Sequence, residues 1–161
     1  MDKIWAPWRI KFLDAKKPKG CIFCAKSREK NDKKNYILHR GASCFVILNA
    51  YPYTSGHVMV VPYRHIDKIT SLNENERREI IDLSASFTGV LKKAVKAEGF
   101  NVGFNQGKVS GAGIEKHVHM HVVPRWHGDV SYMQTLADAK VLPESLPATY
   151  TKLKKAMKGL L

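Results

Sequence analysis

The stretch 117-HVHMHVV-123 places three histidines at alternate positions and fills the gaps with apolar residues. On a helix, positions i, i+2 and i+4 would split between faces. On a strand, side chains alternate with period two, so His117, His119 and His121 line one face. Val118, Met120 and Val122 then line the other and pack into a core. Successive histidines stand roughly 6.6–7 Å apart along such a strand. Three imidazoles buried for packing alone would need up to about six hydrogen-bond partners, so a functional reading is favoured. Two chemistries fit the pattern. All three rings could bind one metal ion that keeps an open position for water. Alternatively, one ring is a nucleophile: neutral imidazole is abundant at pH 7, its unperturbed pKa being about 6.5, and it can attack phosphorus.

Working outward, "FNVGFN" (100–105) reads as a strand, and "QGKVSGAG" (106–113) as a glycine-rich loop able to turn tightly or approach a ligand. Upstream, "NENERREIIDLSASFTGVLKKAVKAEG" (73–99) is the one long helix. Asn73 and Glu76 have capping-box spacing, Ile80, Leu83, Phe87, Val90 and Ala94 form one apolar stripe, and Gly99 suits the C-terminal stop. Earlier still, Tyr36–His39 and Cys44–Leu48 read as a hairpin, "HVMVVP" (57–62) as a strand, and "CIFCAKSREK" (21–30) as a knuckle leading into a short helix. A last helix is expected from about Pro147. Strands in adjacent pairs around one long helix predict an antiparallel sheet in an α+β domain.

The 161 residues and 44% hydrophobic content suit one domain with a real core. No apolar run reaches membrane-spanning length, and the start lacks a signal-peptide apolar block, so a soluble cytoplasmic protein with no membrane partner is expected. Cys21, Cys24 and Cys44 are an odd number, which argues against a disulfide framework. The net charge is +13, and residues 1–40 carry +8 of it. Lys152, Lys154, Lys155 and Lys158 form a second basic cluster. Such a field attracts polyanions, although a solvated surface accounts for most of these lysines.

The residues resemble the histidine-triad (HIT) superfamily, whose signature is His-φ-His-φ-His-φ-φ with φ apolar. "CIFC", "FVILNAYPYTSGHVMVVPYRHI", "FNVGFNQG…GAGI" and "HVHMHVVPRWHGD" occur in the family's order, from about Cys21 to Asp129. "WAPWR", "PRW" and "LPESLPATY" resemble the bacterial and archaeal branch near the diadenosine tetraphosphate phosphorylases and hydrolases. The resemblance implies a five-stranded antiparallel sheet with helices, extended across a homodimer. It divides the chain into a basic segment (1–20), a HIT core (21–129) and a tail with a helix (130–161). It implies attack on the α-phosphate of a nucleotide such as an adenine dinucleoside polyphosphate, a covalent nucleotidyl-histidine, and transfer to water or phosphate, with no organic cofactor.

Residue by residue, the resemblance makes His119 the nucleophile. His121 contacts phosphate and helps protonate the leaving group, and His57 borders the site. Asn49 matches a ribose-contacting position. Asn105 and the loop Gly111, Ala112 and Gly113 match the phosphate cradle. Several members carry a hydroxyl near Gly113; its lack here bears on phosphorolysis more than on the triad chemistry. Some branches hold one structural zinc per chain through Cys-x-x-Cys and two histidines, matched here by Cys21, Cys24, His65 and His117, a sound tetrahedral set. A redox or free-thiol pair is the other reading of "CIFC". Two further functions stand beside the enzyme: a zinc-stabilised basic module binding nucleic acid, and a metallohydrolase with the triad as zinc ligands. The first leaves His119 and His121 unused; the second lacks an obvious carboxylate base. His39 and His127 have no matched role, and Tyr51, Tyr53 and Trp126 suit either a nucleoside pocket or packing.

Overall fold

A computed structural model describes residues 20–129 and 144–158. The basic segment with Trp5 and Trp8, and most of the tail, lie outside the described residues. Five strands, β1 (Ile37–Arg40), β2 (Cys44–Leu48), β3 (Val58–Pro62), β4 (Gly99–Phe104) and β5 (Met120–Arg125), form one sheet in the order β1-β2-β3-β5-β4. Every pairing is antiparallel. The helices are α1 (Ile22–Arg28), α2 (Asp32–Asn35), α3 (Glu74–Val95) and α4 (Leu146–Met157). The class is α+β, as the sequence predicts.

Period-two alternation divides the sheet into two faces. Cys44, Val46, Leu48, Val58, Val60, Val118, Met120 and Val122 pack with Ile80, Leu83, Phe87 and Val90 of α3 and Leu153 of α4. Ile37, Phe45, Ile47, Met59 and Val61 lie on the opposite face under Phe23 of α1. His121 is opposite Met59 across β3 and β5, so the triad belongs to this second face.

Helix α3 starts with a complete capping box. The Asn73 side chain accepts from the Glu76 backbone N–H at 2.9 Å, and the Glu76 carboxylate accepts from the Asn73 N–H at 2.9 Å. The buried Glu76 carboxylate also takes Arg64 at 2.7 Å, and that guanidinium holds it below the usual carboxylate range. The helix stops earlier than Gly99. Lys96 adopts the left-handed cap with φ 53°, and Gly99 already pairs with Arg125 as the first residue of β4. The Glu98 N–H bonds the Arg125 carbonyl at 2.9 Å, so sheet pairing sets this boundary.

A long-range contact fixes the β1–β2 turn. The Glu79 carboxylate on α3 accepts the backbone N–H groups of Ala42, Ser43 and Cys44 at 2.7, 2.5 and 2.8 Å. Gly41 lets the turn come this close, because any Cβ there would collide with the Glu79 carboxylate.

The two sheet edges differ. At β1, Tyr150 Oη of α4 donates to the Ile37 carbonyl at 3.1 Å and Lys154 Nζ donates to the Leu38 carbonyl at 3.0 Å. Among the described residues no strand pairs with the outer edge of β4, and Val102 on it is 48% exposed. Trp126 packs at the end of α3, its Nε1–H donating to the Val95 carbonyl at 3.1 Å, which gives it a structural role. His127 is exposed and His39 is half-buried on β1.

Candidate active site and metal centre

Regular β5 begins at Met120, but the alternation extends back through His117. His117, His119 and His121 are all buried, as is His57, at the residue preceding β3. Their hydrogen-bond partners divide their roles.

His119 Nδ1 lies 2.8 Å from the His117 carbonyl oxygen. A carbonyl only accepts, so Nδ1 carries the proton and Nε2 keeps its lone pair. Burial holds the His119 pKa below the ordinary histidine value, which keeps that lone pair unprotonated near neutral pH. The ring is 3% exposed, with Phe23 5.0 Å away on one side and His121 4.8 Å away on another.

His57 and His121 form a relay whose proton positions follow from its first member. The Tyr51 N–H donates to Asn49 Oδ1 at 2.9 Å, which turns the Asn49 amide nitrogen toward His57 Nδ1 at 3.2 Å. The Tyr53 N–H also donates to that Nδ1, at 3.1 Å. Nδ1 of His57 therefore accepts, and its proton sits on Nε2. That Nε2 is 2.9 Å from His121 Nδ1 and donates to it. His121 in turn carries its proton on Nε2; the Asn105 amide nitrogen placed 3.5 Å away cannot accept it, so the amide meets this proton with its oxygen turned inward. Burial, then repulsion from His119, pushes the His121 pKa down to about 4. A neutral ring with a fixed tautomer therefore presents one N–H donor.

His121 opens onto a cavity of about 370 Å³ lined also by Tyr53, Thr54, Asn101, Asn105, Arg125 and Asp129. The Tyr53 ring stacks on His121 at 5.7 Å and lies 4.7 Å from His57. Arg125 forms a two-pronged pair with Asp129 at 2.5 and 2.7 Å and reaches Asn101 at 2.8 Å. Asn105 lines the cavity, whereas Asn49 stands behind His57. Gly111, Ala112 and Gly113 lie in the β4–β5 loop after a short 3₁₀ turn, apart from the cavity lining. Asn101, Arg125 and Asp129 are lining residues that the sequence reading missed. Their only signal was the spacing of an arginine and an aspartate four residues apart after the triad.

His117 faces elsewhere. Its Nε2–H donates to the Pro62 carbonyl at 2.9 Å, which leaves Nδ1 as a ligand atom. Nδ1 lies 3.2 Å from Cys21 Sγ, 3.6 Å from Cys24 Sγ and 3.3 Å from His65 Nδ1, and Cys24 Sγ is 3.5 Å from His65 Nδ1. The four ligand atoms all fall within 4.8 Å of one another, a grouping that could hold a metal ion. Cys21 caps α1 and Cys24 follows one turn later, so both thiols share a face of the helix. Cys44 is a buried core thiol, pushed up to about 12 chiefly by burial, and takes no part.

Residues 29–128 match the family model of the HIT domain, and the chain belongs to that family. It is 32% identical over 157 residues to an AP-4-A phosphorylase of Mycobacterium tuberculosis, covering 92% of this chain and 80% of that protein. It is 26% identical over 139 residues to an adenosine 5'-monophosphoramidase of Schizosaccharomyces pombe, covering 86% and 99%. In fold it is similar to a Zn-bound histidine triad family protein from Mycobacterium smegmatis, with a TM-score of 0.71 at 24% identity, covering 88% and 95%. It is also similar to a histidine triad nucleotide-binding protein from Sulfolobus tokodaii, with a TM-score of 0.68 at 24% identity, covering 87% and 93%. Among the described residues no helix is long and apolar enough to cross a membrane.

Proposed function

We propose that the protein is a nucleotidyl hydrolase or transferase acting at the α-phosphate of adenine dinucleoside polyphosphates or related nucleotidyl compounds. Nucleotide-processing chemistry of this kind is supported by the family and by the phosphorylase and phosphoramidase relatives. The observation that carries the finer reading is the free Nε2 of His119 beside a neutral His121 whose Nε2 is a donor.

In the first step the His119 Nε2 lone pair attacks the α-phosphorus. A P–N bond forms, the bond from phosphorus to the leaving group breaks with its electron pair going to the leaving atom, and the His121 Nε2–H hydrogen-bonds that atom as its negative charge develops. The Nδ1–H bond to the His117 carbonyl stabilises the positive charge that the ring acquires. In the second step water, losing a proton to solvent, or phosphate attacks phosphorus, the P–N bond breaks with its electron pair returning to His119 Nε2, and the neutral ring is restored. Asn105 and the Gly111–Gly113 backbone would supply donors to the phosphoryl oxygens, and Asn49 would reach the ribose beside His57.

We read the metal as one structural zinc per chain. Ordinary zinc–sulfur and zinc–nitrogen lengths in a tetrahedron require S···N edges of about 3.6 Å and N···N edges of about 3.3 Å. Four of the cluster's six edges, at 3.2–3.6 Å and 3.3 Å, lie near these lengths, and all six fall within 4.8 Å. All four positions would be filled by protein, so the zinc would hold α1 on the sheet rather than activate water. The triad as a shared zinc site is disfavoured, because the Nδ1 atoms of His117, His119 and His121 serve three different partners. The β4 edge, with which no described strand pairs, supports a homodimer whose sheet continues across it.

Incubation with diadenosine tetraphosphate separates the outcomes. AMP plus ATP without added phosphate marks a hydrolase, and phosphate-dependent ADP plus ATP marks a phosphorylase. Failure to turn over any adenylylated compound would overturn the reading.

A further inference from the structure

The metal cluster and the nucleophile share their supports. His117 is held at both ring nitrogens, by Pro62 and by the cluster, and its own carbonyl accepts the His119 Nδ1–H. Phe23 lies between the two cysteines in sequence and is 2% exposed. Its ring stands edge-on to His117 at 5.4 Å and tilted to His119 at 5.0 Å. The Val118 N–H donates to the Ile66 carbonyl at 2.7 Å, tying the segment after His65 to the residue between His117 and His119. Three connections therefore run from the four ligands to one imidazole: a carbonyl, an aromatic ring and a backbone bond. Cys21 also packs against the core around Phe23, whereas Cys24 is half-buried and His65 exposed, and the side chains of these two contact each other and His117.

We propose that the metal centre is a positioning device for His119: an ion on Cys21, Cys24, His65 and His117 fixes the tautomer and aim of the nucleophile through the His117 carbonyl and through Phe23. This rests on His119 being the nucleophile. It adds that Phe23 is a positioning residue and that the ion controls rate as well as stability. Misplacement of a reacting group by about 1 Å can cost about a hundredfold in rate, so the coupling has a measurable size.

His65 is the ligand to test, because it is exposed and its truncation leaves no core cavity. Zinc content, folding by circular dichroism, the imidazole ¹⁵N signals of His119 and steady-state kinetics are measured on the full chain. His65→Ala should lose zinc, stay folded, exchange the single His119 tautomer for averaged signals, and lower kcat by about tenfold to a hundredfold. KM should stay within about twofold, since the cavity residues are untouched. His65→Cys keeps a four-ligand zinc set of a common type and should restore zinc, tautomer and rate together. A zinc-free, folded His65→Ala protein with wild-type His119 signals and kcat overturns the proposal, as does a zinc-loaded His65→Cys protein that stays slow. Should His65→Ala not fold, Phe23→Leu decides. With zinc retained it should show the averaged His119 signals and reduced kcat, and wild-type values for both would overturn the coupling. The nucleophile reading fails separately, if His119→Asn turns over as fast as wild type.

Discussion

At the residue scale, three identical side chains sit in three different settings because each Nδ1 meets a different partner. His117 turns its Nδ1 to thiols and His65, His119 gives its proton to a carbonyl, and His121 accepts from His57. His119→Asn should therefore reduce turnover to background while the zinc content of the purified protein stays near one per chain; joint loss of zinc and activity would point to a shared metal site. The lowered pKa of His121 also has a consequence for stability. Its folded value is about 4, whereas an unperturbed histidine titrates near about 6.5. Between these values the unfolded chain binds more protons, so stability falls as pH drops from about 6.5 to about 4 and this contribution is flat below. The full loss is at most about 3 kcal/mol. Urea midpoints measured across this range should fall less steeply for His121→Gln than for the wild-type protein. Equal slopes would show that His121 does not titrate in this way.

At the element scale, the alternation along 117–123 and along β2 and β3 is what makes the two-faced sheet readable from sequence, because period two assigns every residue to a face. The capping box at Asn73 and Glu76 is equally local, and Asn73→Ala should cost about 1 kcal/mol in chemical denaturation. A cost near zero would mean that the Arg64–Glu76 pair holds the helix start alone. What escaped the sequence reading depends on contacts between distant segments. The helix end at Lys96 is set by β4 pairing with Arg125, and the β1–β2 turn is set by Glu79 from another element. Helix α2 and the bulge between Ile37 and His39 are too short to produce a period. In the site, the triad, His57 and the four metal-cluster residues were legible through the family pattern. Asn101 was not, since only the β4–β5 pairing brings it beside Arg125, and Arg125 and Asp129 meet through a local turn whose one sequence signal is their four-residue spacing. The β4 edge, unpaired among the described residues, makes a further prediction for the proposed dimer. Val102→Asp should shift a dimer toward monomer in light scattering, and an unchanged mass would place the interface elsewhere.

At the scale of the whole molecule, the sheet separates two tasks by face. One face buries the core against α3 and α4, and the other carries the His57–His121 relay, and, beside Phe23 of α1, His119 and the Cys21, Cys24, His65 and His117 cluster. Helix α4 closes the β1 edge through Tyr150 and Lys154, and β4, beside the cavity, is the edge with which no described strand pairs. The basic surface adds a general attraction for anions, which suits a polyphosphate substrate without specifying it. In the proposed mechanism all of this serves one atom, Nε2 of His119. The most direct measurement is rapid acid-free quenching of the protein during turnover of diadenosine tetraphosphate, followed by peptide mass spectrometry. The account predicts one adenylyl group on His119, formed and lost at rates that sustain kcat and missing in His119→Asn. Turnover at an undiminished rate with no adduct, or with the adduct on another residue, would contradict it.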